Sequence, residues 1–370
     1  MEASKLPWKR GRSALLCGVA VTAITLAAQQ AAAVAEPSGP VTMDDAFTRA
    51  AEEFQVPRAL LVAVGYGETH LDSHDGEPSS ANGYGVMHLV SNPQRKTLEK
   101  AANLTGEPLS ELRTNTASNI RGGAAVLRAY ADALKLTAAD RSDLAEWYPA
   151  VARYGGYADA TLARLYADNV YDIVAEGVRA EVEDGGTVVT EAEQVTPERG
   201  QYGSVRSLDS TTEESEDYPA AHWVAADSEN YASGRTAEID TIVIHVAQGS
   251  YAGTISWFQD PEARSSAHYV IRSSDGDVTQ MVRDSDTAWH AKSANSHSLG
   301  IEHEGYIDDA SWFTDAMYNA SAALTRHLTA VYGIPRDREH IVGHGEVPGN
   351  DHTDPGPSWD WDTYMALVNG

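Results

Sequence analysis

Apolar residues recur at helical spacing over Met43–Arg179 and at strand spacing after Tyr218, so the chain divides by period before any motif is considered. In the first stretch Asp44 is placed to cap a helix carrying Ala46, Phe47, Ala50, Ala51 and Phe54, and Arg121 to Leu134 has the spacing of a second amphipathic helix. Residues 41–180 are therefore expected to form a mainly α-helical domain. From 181 to 217 the composition turns to Glu, Asp, Thr, Ser and Gly with few large apolar side chains, as in Ser210 to Asp217. Such a stretch buries too little to fold alone and is expected to be a flexible acidic linker.

From Tyr218 to Gly370 the pattern is mixed. Ile239, Ile242, Val243, Ile244 and Val246 make a β-branched run typical of a buried strand. Ala267 to Arg272 and Val278 to Val282 flank a Ser-Asp-Gly turn and predict a hairpin. Leu299 to Glu302 predicts a further strand, Asp315 to Tyr332 a helix, and Ile341-Val342 the last strand. Strands alternating with helices predict an α+β or α/β domain, a mixed β-sheet flanked by helices.

The ends and the charge narrow the setting. Lys5, Lys9, Arg10 and Arg12 precede an apolar run from Ala14 to Ala28 and the small residues Ala33-Val34-Ala35, the order of a secretory signal peptide over residues 1–35. That run is shorter than the ~20 residues of a spanning helix, so no membrane attachment is expected after cleavage. The single cysteine, Cys17, lies inside it, which leaves the mature chain without a thiol or a disulfide. A secreted or wall-associated monomer follows. The formal net charge of −27 repels polyanions and argues against nucleic acid as a partner.

Three side chains in the second half have the types and placement of a metal site: His245 closing the first strand, His344 after the last, and Asp354 ten residues on. Two imidazoles and a carboxylate give zinc three protein ligands and leave a position open, the arrangement of a catalytic centre. On residue type alone a histidine at a strand end is more often a packed or surface residue than a ligand. The words around them add the specificity. Ile242 to His245, Ser266 to Ile271, Ala288-Trp289-His290-Ala291, Ser298 to Glu302, and Gly343-His344 followed by Asp354-Pro355-Gly356-Pro357 occur in that order.

In these motifs residues 218–370 resemble the N-acetylmuramoyl-L-alanine amidase family of zinc amidases, to which peptidoglycan recognition proteins are related. The resemblance implies a zinc amidase fold and hydrolysis, in bacterial peptidoglycan, of the amide joining muramic acid to the first alanine of the stem peptide. It implies His245, His344 and Asp354 as Zn2+ ligands and Glu302 as general base, with Glu304 a structural or surface acid. Where the family commonly carries a lysine that stabilises the oxyanion, this chain has His352, which inherits that expectation as a catalytic residue. Trp289, His290 and His268 are candidates for the substrate side, His268 also reading as a core histidine or a partner to a ligand. His303 and His340 carry no motif and are expected on the surface.

The helical half more weakly resembles the lysozyme-like domain of lytic transglycosylases through Leu61 to His70, Gly83 to Leu89 and Asn119 to Gly123. That likeness implies Glu68 as a second catalytic acid, its pKa raised by an apolar setting. Thr69, His88 and Arg153-Tyr154 depart from that pattern. Two alternatives to the amidase therefore stand: a peptidoglycan recognition module that does not cut, and a glycan-cleaving enzyme acting through Glu68.

Overall fold

The structure is a computed structural model that describes residues 41–208 and 214–370; the expected signal peptide at 1–35 lies outside the described residues. The first half is built from helices α1 (Met43–Phe54), α2 (Arg58–Thr69), α3 (Thr97–Thr105), α4 (Leu109–Thr114), α5 (Thr116–Ala133), α6 (Tyr148–Gly155) and α7 (Ala160–Glu176). Short strands β1 (Gly83–Tyr84) and β2 (Leu89–Val90) form a hairpin between α2 and α3. Thr42, not Asp44, caps α1, its hydroxyl accepting from the Asp45 amide at 3.1 Å. Phe47, Leu60, Leu61, Val64, Ile120 and Val151 are among the apolar side chains that fill the core of this half.

Much of the described part of the stretch expected to be a flexible linker folds instead. Strands β3 (Val178–Glu181) and β4 (Thr187–Thr190) pair as an antiparallel hairpin. Val188 and Tyr202 enter the helical core, and Arg199 pairs with Asp168 of α7 at 2.8 Å. Composition understated this segment because a few well-placed apolar residues suffice when a preformed core offers them a surface.

The second half is organised around a six-stranded mixed sheet. In chain order its strands and neighbours are β5 (His222–Trp223), β6 (Tyr231–Ala232), β7 (Thr241–Val246), β8 (Tyr269–Ile271), β9 (Val278–Gln280), β10 (Thr287–Ala288), β11 (Ser298–His303) and β12 (Ile341–Gly343). The sheet runs β12-β7-β11-β8-β9-β5, with β6 and β10 pairing separately. Strands β12, β7, β11 and β8 are mutually parallel, whereas β9 returns antiparallel to β8 across the expected hairpin.

One face of the sheet, through Ile242, Ile244, Leu299, Ile301 and Ile341, packs on α9 (Asp315–Tyr332) and α10 (Trp361–Asn369). Helix α8 (Tyr251–Phe258) follows β7 and buries Ile255 and Phe258 with Val270 and Met281. Leu162 of α7 and Leu208 join that same cluster. The helical half and the sheet half thus share apolar contacts, and residues Val41–Gly370 form one unit. Among the described residues no helix is long and apolar enough to cross a membrane.

Candidate active site

Parallel strands collect their carboxyl ends on one edge of a sheet, which is where α/β sites form. His245 and Glu302 are the penultimate residues of β7 and β11 and face each other directly in register. His344 follows the last residue of β12, which pairs with Ile244 of β7. Because Ile244 and Ile301 point into the core, the period of two turns His245 and Glu302 to the opposite face.

Asp354 completes the cluster from the loop after β12. Its Oδ2 lies 3.2 Å from His245 Nδ1 and its Oδ1 3.1 Å from His344 Nδ1. The ligand-capable atoms of His245, His344 and Asp354 all lie within 4.8 Å of one another, and all three residues are buried. Burial alone would raise the Asp354 carboxyl, yet the hydrogen bonds of His245 and His344 hold it well below the usual carboxylate range. Burial pushes the His245 imidazole down, so it is neutral and able to offer a lone pair. His344 Nε2 is buried without a hydrogen-bond partner. A converged pair of imidazoles and an ionised carboxylate is a donor set that fits a divalent cation.

Glu302 faces this cluster with its Oε2 buried and unpartnered. Burial raises its proton affinity well above that of an ordinary glutamate, and the charge of Asp354 adds to the effect. Glu304 is spent on structure, as expected: its carboxylate accepts the Tyr251 and Ser273 amides, both at 2.8 Å.

The remaining expected residues separate. Trp289 and His352 line the cavity around the cluster. His352 is more than half exposed and stacks on His344, ring centroids 4.4 Å apart. His290 also reaches the cavity, but its Nδ1 is 3.0 Å from His245 Nε2 and its Nε2 is 3.2 Å from Ser298 Oγ, so it holds a member of the cluster from behind.

His268 does not line the cavity and is fully buried. Its Nδ1 accepts the Gly300 amide at 3.0 Å, and its Nε2 lies 2.7 Å from Arg235 Nη2, so the substrate role is replaced by the core reading. His303, expected on the surface, is also fully buried, between the His245 carbonyl and Ser321 Oγ, each at 2.8 Å. The strand period carried that signal, since His303 shares the face of Ile301.

Glu68 is not the raised, apolar acid expected of it. It is almost completely buried, with His88 Nδ1 at 2.9 Å, the Tyr166 hydroxyl donating at 2.8 Å and Arg95 Nη2 at 3.9 Å. Burial alone would raise its pKa, but His88, Arg95 and Tyr166 together hold it below the usual range, so it keeps no proton to donate near neutrality. It also lies outside the cavity that holds the His245 cluster.

The profile of a family described as N-acetylmuramoyl-L-alanine amidase matches residues 235–357, the segment that carries this cluster. N-acetylmuramoyl-L-alanine amidase A of Achromobacter lyticus is 43% identical over 171 residues, 42% of this chain and 96% of that protein. The 1,6-anhydro-N-acetylmuramyl-L-alanine amidase AmpD of Escherichia coli strain K12 is 36% identical over 137 residues, 32% of this chain and 70% of that protein. A crystal structure of a selenomethionine AmpD derivative aligns with a TM-score of 0.36 at 30% identity, over 42% of this chain and 98% of that one. With relatives of this identity spanned over most of their length, the chain belongs to the N-acetylmuramoyl-L-alanine amidase family.

Proposed function

We propose that this protein hydrolyses the amide bond between N-acetylmuramic acid and the L-alanine of the stem peptide in bacterial peptidoglycan, with zinc held by His245, His344 and Asp354. The observation that carries the reading is the convergence of those three side chains, within 4.8 Å, beside an unpartnered buried glutamate. Zinc bound there supplies a Lewis acid that polarises a carbonyl and brings the ionisation of water near neutrality.

The protein's own residues do the rest. Glu302 takes a proton at Oε2 from the attacking water and returns it to the leaving alanine nitrogen. His290 keeps the His245 ring oriented through the 3.0 Å contact. His352, at the cavity rim, donates to the developing oxyanion in place of the family's lysine. Trp289 offers an apolar face to substrate.

Export through residues 1–35 brings the enzyme, as a monomer, to its substrate outside the cytoplasm. The test is digestion of purified peptidoglycan with and without chelator, with the new ends identified by mass spectrometry. Free stem peptides beginning with alanine, lost on chelation and in His344→Ala, are expected. Binding without release would point to a recognition module, and new reducing or anhydro sugar ends would move the chemistry to Glu68.

A further inference from the structure

The cavity around the metal-ligating cluster measures about 1190 Å³, and only part of its wall comes from the amidase half. Across it lies the loop between α2 and β1 of the helical half, which contributes Asp72, His74, Asp75, Glu77 and Ser80. This loop is fastened to the amidase half at three points. The His70 ring stacks on Trp312 with centroids 3.6 Å apart, and its Nδ1 lies 2.7 Å from Ser311 Oγ. The His74 ring stacks on Tyr306 at 3.9 Å. Ser80 Oγ donates to the Ala247 carbonyl at 2.8 Å, two residues beyond His245. The loop is therefore held in place as a wall of the catalytic cavity.

We infer that this loop binds the glycan strand of the substrate, so that the helical half selects for saccharide length while the amidase half holds the stem peptide. The inference rests on the amidase reading above. Its ground is the chemistry of the two walls. On the loop side Asp75 and Glu77 are exposed carboxylates, and the half-buried Trp257 of α8 lines the same cavity. Carboxylates accept from sugar hydroxyls in charge-assisted hydrogen bonds, and aromatic rings cover the apolar faces of pyranoses. The same carboxylates repel the terminal carboxylate that a stem peptide carries. On the other side the rim carries His352 and Lys292, the latter paired with Asp351. Glu302 Oε2, buried without a partner in this cavity, marks the space between the walls as room for a ligand. A volume somewhat above the roughly 300–1,000 Å³ range of small-molecule pockets accommodates sugars and peptide together.

The test uses the full chain and two soluble substrates bearing the same stem peptide, one on a single muramic acid and one on a tetrasaccharide. The wild type is expected to show a KM for the tetrasaccharide lower by about tenfold, the worth of one or two net hydrogen bonds. Asp75→Asn combined with Glu77→Gln should close that gap to within about twofold, largely by raising KM on the longer substrate. Asparagine suits position 75, where φ is 52°. Both side chains are exposed, so the fold should survive. Glu52→Gln, on the exposed face of α1, serves as a charge control that keeps the gap.

A wild type indifferent to sugar number, or a double variant that retains the preference, overturns the inference. So does an affinity that follows acetylation of the stem's free amine rather than sugar count, since the loop would then hold peptide. If the wild type releases stem peptide from neither substrate, the amidase reading itself fails.

Discussion

Glu302 carries the sharpest expectations at the scale of single residues. Glu302→Gln keeps the side chain's shape and removes its basicity, so kcat should fall by about 10²–10⁴. Thermal stability should hold or rise, because the glutamine no longer opposes burial of a charge. Stem-peptide release and a melting curve on the same sample check both, and an active Glu302→Gln would remove it from the chemistry. His352 is tested by rescue. His352→Ala should lower kcat by roughly 10–100-fold with KM little changed, and His352→Lys should restore it. Full activity in His352→Ala would show that the oxyanion is stabilised elsewhere. At this scale the placement of His245, His344 and Glu302 was legible in the sequence because each lies at or just after the end of a strand, whereas Asp354 joins them from a loop. His303 was misread because a histidine's role depends on which face of its strand it occupies, and His268 takes the core reading of the two the sequence offered.

The element that positions the site is β11. Gly300 lies on the site face of that strand, and a methyl group added there would come within 2.6 Å of the His290 ring. His290 in turn holds His245. Gly300→Ala should therefore destabilise the protein by about 1–3 kcal/mol. It should also weaken metal affinity by about 10–100-fold, since a ligand's outer partner has moved. Denaturant unfolding together with a zinc-competition titration checks the pair, and a variant that loses stability but keeps metal affinity would uncouple His290 from the site. The hairpin β3–β4 shows the reverse case. Its acidic, glycine-containing sequence reads as linker, and only the neighbouring helical core supplies the surface that Val188 and Tyr202 need.

Across the whole molecule the buried histidines set the response to acid. Burial depresses His74 to about 4 and His303 to about 3, and it holds His268 well below the ordinary value. A histidine whose folded pKa lies below its unfolded value of about 6.5 adds stability above that pH and loses it as pH falls. Asp284 works the other way: burial and Asp217 raise it to about 6, so it costs stability above that pH and the cost fades towards 4. The carboxyls of Glu302, Glu304, Asp172 and Glu183 are raised in the same sense as Asp284 and offset part of the loss, yet with each histidine contributing up to about 1.4 kcal/mol per pH unit, stability should still drop from pH 6.5 towards 4.5. A melting temperature that is flat or rising over that interval would contradict this balance. The cluster shared by Leu162, Leu208 and Ile255 further predicts one unfolding transition rather than two.

By itself, the sequence was enough to determine the alternation of strands and helices after Tyr218, the edge of the sheet where the chemistry sits, and the residue types that meet there. Periodicity and local motifs are short-range properties, and these features depend on little else. The tertiary structure alone decided the fate of Glu68, whose His88, Arg95 and Tyr166 partners come from separate elements and convert an expected acid into a buried ion pair. It alone also brought the α2–β1 loop to the far wall of the amidase cavity. Contacts between halves of a chain depend on the shapes of two finished surfaces, and no window of sequence contains both.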